Sequence, residues 1–134
     1  MEDKGTTAGA RDICERTLDY AVRAIKLCRT LQAMRTGAGD VVGKQYLRSA
    51  TSIGANVSEA QAAESRADFV HKYRLALKEA RESLYWLHVL ERSELVAQSR
   101  LSEIVQETDE LVAIITTIVR HARENAEGPG RTAQ

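Results

Sequence analysis

Polar side chains with hydrogen-bonding chemistry recur along one face of a helical segment in the middle of the chain. Its members, separated by four, four and three residues, are Arg48, Ser52, Asn56 and Glu59. Residues three or four apart share a helix face, and this set combines a forked donor, a hydroxyl, an amide and an acceptor. Lys78 and Glu82 have the same four-residue spacing in the next segment. The pattern predicts a polar network that joins the two segments.

Such a network serves either chemistry or packing. The sequence shows no nucleophile–base pair beside it. Its glycines at 37, 39, 43 and 54 neither follow a strand nor precede a lysine and a hydroxyl residue, as a phosphate-binding loop requires. Buried polar networks can fix how helices pack. We therefore interpret the six residues as a structural network, and we predict no catalytic residues, no cofactor and no enzyme activity.

A carboxylate metal site is the chemistry that glutamates in a helical bundle suggest first. That site needs Glu-x-x-His on two helices and two further glutamates. The residues three positions before the histidines at 71, 88 and 121 are Asp68, Tyr85 and Ile118, and only the first is a metal ligand. We predict no metal site. An enzyme or metal-binding bundle is the least favoured alternative, and it would use Glu59, Lys78 and Glu82.

Apolar residues recur at intervals of three and four through four segments, as in amphipathic helices. The single proline, Pro129, lies near the C-terminus, so no proline interrupts the region before it. Glycines at 37 and 39 predict a helix stop, and Ser65 followed by Asp68 predicts a helix start. The expected helices span about 11–34, 41–63, 66–91 and 99–125, because turn-forming residues separate these segments.

Four helices with short connections predict an all-α, up-down-up-down four-helix bundle over residues 11–126. We expect a disordered N-terminus at 1–10 and a flexible C-terminal tail at 127–134. Second apolar stripes at seven-residue spacing accompany the core stripes of the last two helices: Val70, Leu77, Leu84, Val105, Val112 and Val119. A broad apolar face indicates either self-association or a thick core, and the sequence leaves both open.

The charge distribution bears on nucleic-acid binding. The formal net charge is zero, but residues 1–81 carry 14 Lys and Arg against 10 Asp and Glu (+4), and residues 82–134 carry 5 against 9 (−4). A ring of subunits would repeat a basic patch and gain avidity for the phosphates of RNA or DNA. The possible nucleic-acid contacts are Lys44, Arg66, Lys72, Arg74 and Arg81. An ordinary mixed-charge surface explains the same residues.

The cysteines and the hydropathy indicate a cellular compartment. Cys14 and Cys28 are fourteen residues apart in the first helix, roughly 21 Å along its axis, which is too far for a disulfide. The sequence shows no signal peptide and no long apolar run. We expect a reducing, cytoplasmic setting with no membrane partner.

A family resemblance is carried by residues 49–90, which read SATSIGANVSEAQAAESRADFVHKYRLALKEARESLYWLHVL. The segment resembles a bacterial four-helix-bundle family that includes proteins encoded within intervening sequences of large-subunit ribosomal RNA genes. It is also similar to the accessory variability determinant proteins of diversity-generating retroelements. The matching positions are Arg48, Thr51 to Ile53, Ala55, Asn56, Glu59, Ala60, Phe69, Ala76 to Ala80, Glu82 and Tyr85 to Leu87.

The resemblance implies a four-helix bundle that assembles into a ring, typically a pentamer, without an established enzyme activity. In the retroelement proteins the ring is basic and binds nucleic acid together with a reverse transcriptase, whereas this chain has no net charge. Our leading expectation is a non-enzymatic homo-oligomer that acts as a nucleic-acid-associated or scaffold module. The alternative is a pure protein–protein interaction scaffold that does not bind nucleic acid.

Overall fold

The computed structural model of the chain describes residues 4–126, with side chains from residue 12 to residue 125. It contains α1 (Lys4–Ala33), α2 (Gly37–Ala60), α3 (Arg66–Arg92) and α4 (Gln98–Ala126), and no strand occurs within this range. Each helix packs on the next one in sequence, and α4 closes the bundle against α1 through a smaller contact. The predicted all-α four-helix bundle is confirmed. None of these four helices is long and apolar enough to cross a membrane.

The first helix begins earlier than the sequence indicated. It starts at Lys4, so residues 4–10, which we expected to be disordered, are helical. The apolar periodicity that we used begins only at Ile13, but a helix that is already nucleated extends at little cost where no proline interrupts it. The predicted C-terminal tail at 127–134 and residues 1–3 lie outside the described residues.

The turn between α1 and α2 also differs from the expectation. We expected the glycines at 37 and 39 to end the first helix, but both lie in the first turn of α2. The left-handed residue after α1 is Arg35, with a φ of 55°. The Thr36 side chain caps α2 by accepting a hydrogen bond from the backbone N–H of Gly39, at 2.9 Å. A Cβ at Gly39 would lie 2.5 Å from the Thr36 Oγ1, so this cap requires the glycine.

The start of α3 follows the prediction. The Ser65 side chain accepts a hydrogen bond from the backbone N–H of Asp68, at 3.0 Å. The carboxylate of Asp68 in the first turn suits the positive end of the helix dipole. The serine and the acidic residue three positions later therefore mark a helix start, as their spacing indicated.

Helices α1 and α2 lie close together at Gly54. A Cβ added there would lie 3.2 Å from the carbonyl oxygen, the Cβ and the Oγ1 of Thr17. The Thr17 hydroxyl is itself buried and donates to the carbonyl of Ile13, at 2.8 Å. The sequence pattern suggested that Gly54 permits a close helix approach, and this is confirmed.

The core contains a directed chain of buried hydroxyl groups. The Tyr46 hydroxyl donates to the Tyr20 hydroxyl at 2.9 Å, and the Tyr20 hydroxyl lies 2.7 Å from the Thr108 Oγ1. Thr108 uses its own hydrogen to bond the carbonyl of Ile104, at 2.6 Å, so Tyr20 donates to Thr108. Burial raises the pKa of both tyrosines, which keeps the hydroxyls protonated. This series of hydrogen bonds links α2, α1 and α4.

The second apolar stripes of α3 and α4 mainly serve the core. Val70, Leu77, Val105 and Val112 are half-buried and pack against the core, and Val119 is buried. The large apolar side chains that stay exposed are instead concentrated on α1. Leu84 is half-buried and is not among the side chains that pack against the core, so the thick-core explanation accounts for five of the six residues. Three of the large exposed apolar side chains lie together on α1.

Candidate functional site

The predicted polar face of α2 forms an ion cluster with α3 around Arg48. The Arg48 guanidinium contacts the carboxylate of Glu79 at 3.4 Å, and it also donates to Glu82. The indole Nε1–H of Trp86 donates to the same Glu82 carboxylate, at 3.1 Å. The structure thus brings together Arg48 and Glu82, as predicted, and adds Glu79 and Trp86, which the prediction left out. Trp86 follows Glu82 by four residues, and this spacing could have indicated the contact.

The charges of this cluster stabilise one another. The hydrogen bond from Arg48, assisted by the one from Trp86, lowers the pKa of Glu82. The bond to Glu82 in turn raises the pKa of Arg48. The Arg48 side chain is 50% exposed, so water screens the attraction and the pair adds little to the free energy of unfolding. The cluster orients α2 against α3 without enclosing a pocket of reactive groups.

The other members of the predicted network do not join this cluster. Ser52 donates to the backbone carbonyl of Arg48 at 2.7 Å, and Asn56 donates to the backbone carbonyl of Ser52 at 2.9 Å. Both side chains thus bond within α2, as short polar side chains often do. Glu59 forms an ion pair with Lys72 of α3, at 2.8 Å. Lys78 is exposed and forms none of the ion pairs found among the described residues.

Metal-binding groups are dispersed in the described part of the chain. No cluster of three or more His, Cys, Asp or Glu side chains within it could hold a metal ion. His71 is exposed on α3, and His88 lies 3.5 Å from the carboxylate of Glu91 on the same helix.

The predicted nucleic-acid contacts fall into separate groups. Arg74 and Arg81 are exposed and seven residues apart, so they project from the same face of α3, with Lys78 between them. Tyr85, 59% exposed, lies one turn beyond Arg81. We call Arg74, Lys78 and Arg81 the α3 cation row. None of the three forms an ion pair with a described residue.

The remaining predicted contacts lie elsewhere. Arg66 is exposed at the start of α3. Lys72 is held by Glu59, and this hydrogen bond raises the pKa of Lys72. Lys44 lies on α2 near Cys28 of α1, where its charge opposes the rise that burial causes in the pKa of the thiol. Lys44 therefore belongs to the α1 side of the bundle and not to the α3 cation row.

An exposed apolar surface runs along α1. Leu18, Val22 and Ile25 are 64%, 45% and 41% exposed, and their spacing of four and three places them on one face. We call these three residues the α1 stripe. Beside it, a groove of about 360 Å³ separates α1 from α2, with the lining residues Cys14, Thr17, Leu18, Ala21, Thr51, Gly54, Ala55 and Ser58. The pattern that predicted core residues did not distinguish this stripe, because it only recognises apolar periodicity.

Comparison with known proteins places the chain in a family. The sequence signature of the family described as 23S rRNA-intervening sequence protein matches residues 11–117. The chain belongs to this family. The match to the intervening-sequence proteins extends from α1 to the middle of α4 and so includes the Arg48 cluster, the α3 cation row and the α1 stripe.

A solved structure supports the same assignment of the fold. It is a protein of unknown function of the S23 ribosomal protein family from Bacteroides thetaiotaomicron, with 37% sequence identity to this chain and a TM-score of 0.77. The similarity covers 84% of this chain and 98% of the other. No curated protein matches the chain. The chain therefore shares its fold with a protein whose function is unknown.

Proposed function

We propose that this intervening-sequence family member is a non-enzymatic, homo-oligomeric module that binds nucleic-acid phosphates. The observation that carries the proposal is the α1 stripe, which exposes three large apolar side chains on one helix face. Contiguous apolar surface on a folded protein typically marks a site of association. A second copy of the chain is the occupant that we propose, in a ring of five as the family resemblance implies.

A ring requires that two different faces of each subunit meet, because a head-to-tail contact repeats until it closes. Residues 1–81 carry a formal charge of +4 and residues 82–134 one of −4, so oppositely charged surfaces of neighbouring subunits would attract each other. Arg16 illustrates the attraction within one chain, since it bonds Glu107 and Glu110 of α4 at 2.8 and 2.9 Å. Charge complementarity of this kind supports ordered association in addition to apolar burial.

Among the described residues, the carboxylates of the alternative enzyme site are engaged in separate ion pairs, which favours a non-enzymatic role. Glu59 pairs with Lys72, and Glu82 pairs with Arg48, so the two carboxylates of the alternative enzyme site serve separate contacts. The free thiols Cys14 and Cys28 suit a reducing cytoplasm, which is the compartment that we propose.

Carboxylates placed on the α1 stripe are expected to dissociate the oligomer. We expect the wild-type chain to have a mass that is a multiple of its 14.8 kDa monomer and the Leu18→Glu/Ile25→Glu double variant to have the monomer mass, because charges buried at an interface without partners oppose association. Light scattering measures the mass, and circular dichroism verifies that the helices persist. Met34→Glu is the matched control, because it changes an exposed apolar residue beyond the end of α1. A monomeric wild type, or a double variant of undiminished mass, contradicts the proposal.

The α3 cation row is the surface that we propose for nucleic acid. Its three cations form no ion pair with described residues, so no internal partner has to be displaced when phosphates bind. A single row contacts few phosphates and binds weakly, but an oligomer presents several copies at once. Tyr85 at the end of the row adds one exposed aromatic ring, which can stack on a base of a single strand.

Removing two charges from the row is expected to weaken RNA binding and its dependence on salt. For Arg74→Gln/Arg81→Gln we expect the slope of log affinity against log salt to fall by about 1.4 per bound subunit on single-stranded RNA, at about 0.7 for each phosphate contact. Fluorescence anisotropy at several salt concentrations measures the slope. Arg35→Gln/Lys44→Gln removes the same charge from exposed positions outside the row and serves as the control. Equal slopes for the two double variants would show that the row does not bind RNA.

The scaffold alternative gives a different result in the same experiments. An oligomer that binds neither RNA nor DNA at low salt, where phosphate contacts are strongest, would identify the chain as a protein–protein interaction module. The mass measurement and the anisotropy measurement therefore test the two halves of the proposal separately.

A further inference from the structure

A cleft opens between the second half of α1 and the beginning of α4, on a different side of α1 from the groove that faces α2. It has a volume of about 260 Å³, and the residues that line it are Arg23, Lys26, Leu27, Thr30, Val96, Arg100, Glu103 and Ile104. On one side of the cleft α1 and α4 are held together by the bonds from Arg16 to Glu107 and from Tyr20 to Thr108. The cleft lies beyond these bonds, where the two helices separate.

The rim of the cleft has an excess of positive charge. Three cations, Arg23, Lys26 and Arg100, surround it, against the single carboxylate of Glu103. None of these four groups lies within 4.0 Å of an opposite charge among the described residues. The neighbouring Arg16, by contrast, is bonded to two glutamates.

Unneutralised charge at a cleft with an apolar floor attracts counter-ions. Like charges repel one another, and a cleft with low-dielectric walls concentrates their field. Arg23 is half-buried, so water screens its guanidinium less than it screens a fully exposed one. An anion placed between Arg23, Lys26 and Arg100 would relieve this repulsion and accept charge-assisted hydrogen bonds.

The floor of the cleft is apolar. Leu27 of α1 is half-buried, and Val96 and Ile104 are 2% and 6% exposed. The Thr30 hydroxyl at the edge bonds the carbonyl of Lys26 at 3.3 Å. A ligand that fits this arrangement has an anionic group for the rim and a flat or apolar body for the floor. The volume of about 260 Å³ lies just below the range of about 300–1,000 Å³ for small-molecule sites, so a ligand must be small or extend partly beyond the cleft.

From this combination we infer that the cleft binds a nucleotide, with its phosphate on Arg23, Lys26 and Arg100 and its base against Leu27, which is the accessible part of the apolar floor. The site lies between α1 and α4, whereas the α3 cation row projects from α3 and the groove beside the α1 stripe faces α2. The inference goes beyond the proposed function and does not depend on it, because a single subunit contains every lining residue.

Titration calorimetry with three probes tests the site. We expect one AMP to bind to each subunit. Adenosine and inorganic phosphate should each bind at least about tenfold more weakly than AMP, because each lacks one half of the contacts. The Arg23→Gln/Arg100→Gln variant should lose about tenfold or more in AMP affinity, while its circular dichroism stays unchanged. The Arg74→Gln/Arg81→Gln variant should bind AMP as the wild type does.

Three results would overturn the inference: no AMP binding, AMP binding that survives Arg23→Gln/Arg100→Gln, or inorganic phosphate binding as tightly as AMP.

Competition by a short RNA shows whether the nucleotide in the cleft is the end of an RNA strand or a free nucleotide. An RNA with a 5′-phosphate that displaces AMP, when the same RNA with a 5′-hydroxyl does not, shows that the cleft holds a strand terminus. AMP binding without competition from either RNA shows that it holds a free nucleotide. Both outcomes support the site, and neither depends on the RNA affinity of the α3 cation row.

Discussion

Replacing Gly54 by leucine is expected to lower the free energy of unfolding by about 1–2 kcal/mol. The added Cβ would lie 3.2 Å from three atoms of Thr17, one of which is a backbone oxygen. Because backbone atoms cannot rotate away, α1 and α2 must separate, and overfilling a packed contact typically costs about 1–3 kcal/mol. The better helix propensity of leucine offsets about 1 kcal/mol of this cost.

Chemical denaturation followed by circular dichroism measures this change. Ala55→Leu is the matched control, because it adds a similar side chain to the next residue, which is exposed. We expect the control to stay within about 0.5 kcal/mol of the parent. Both variants are best made in the Leu18→Glu/Ile25→Glu background, so that assembly does not contribute to stability. Equal stability of the two variants would show that α1 and α2 do not touch closely at Gly54.

The two buried tyrosines are expected to differ in what their hydroxyl groups contribute. Tyr20 accepts from Tyr46 and donates to Thr108. Tyr20→Phe therefore leaves the hydroxyl of Tyr46 without an acceptor in a site with no solvent exposure, and an unsatisfied buried group costs about 1–3 kcal/mol. Tyr46→Phe removes only the first donor of the chain, so every remaining hydroxyl keeps its acceptor, and we expect a loss of about 1 kcal/mol.

The denaturation midpoints of the two phenylalanine variants give the order of their stabilities, provided that the slope of unfolding free energy against denaturant concentration is the same for both. The double variant adds a second readout, because it removes the orphaned hydroxyl. We expect it to be less destabilised than the sum of the single changes. If Tyr46→Phe were the more damaging single change, the direction of hydrogen bonding along Tyr46, Tyr20 and Thr108 would be wrong.

Helix periodicity predicted the architecture well because burial is a property of whole segments. The four helices, the start of α3 at Ser65 and the close contact at Gly54 all follow from local spacing and residue size. The start of α2 did not, because a glycine ends one helix as readily as it permits the first turn of another. Only the geometry of the Thr36 hydroxyl and the Gly39 N–H decides between them.

The polar residues were harder to predict, because spacing shows which side chains share a face but not which partner each one chooses. Arg48 reaches across to Glu79 and Glu82, while Asn56 on the same face bonds its own backbone. Bonding within α2 and bonding across to α3 both satisfy a polar side chain, and the longer arginine side chain is the one that contacts α3. For a related reason, spacing could not distinguish the α1 stripe from the core: an apolar position on a helix is buried only if a neighbour covers it.

The chain's single tryptophan gives the ion cluster of α2 and α3 an optical signature. Trp86 donates to the Glu82 carboxylate and lies in edge contact with the Tyr85 ring, at 5.0 Å between centroids. Its emission therefore reports on one helix pair, whereas circular dichroism averages over all four helices. Comparing the two signals along an unfolding curve distinguishes a bundle that opens first between α2 and α3 from one that melts as a single cooperative unit.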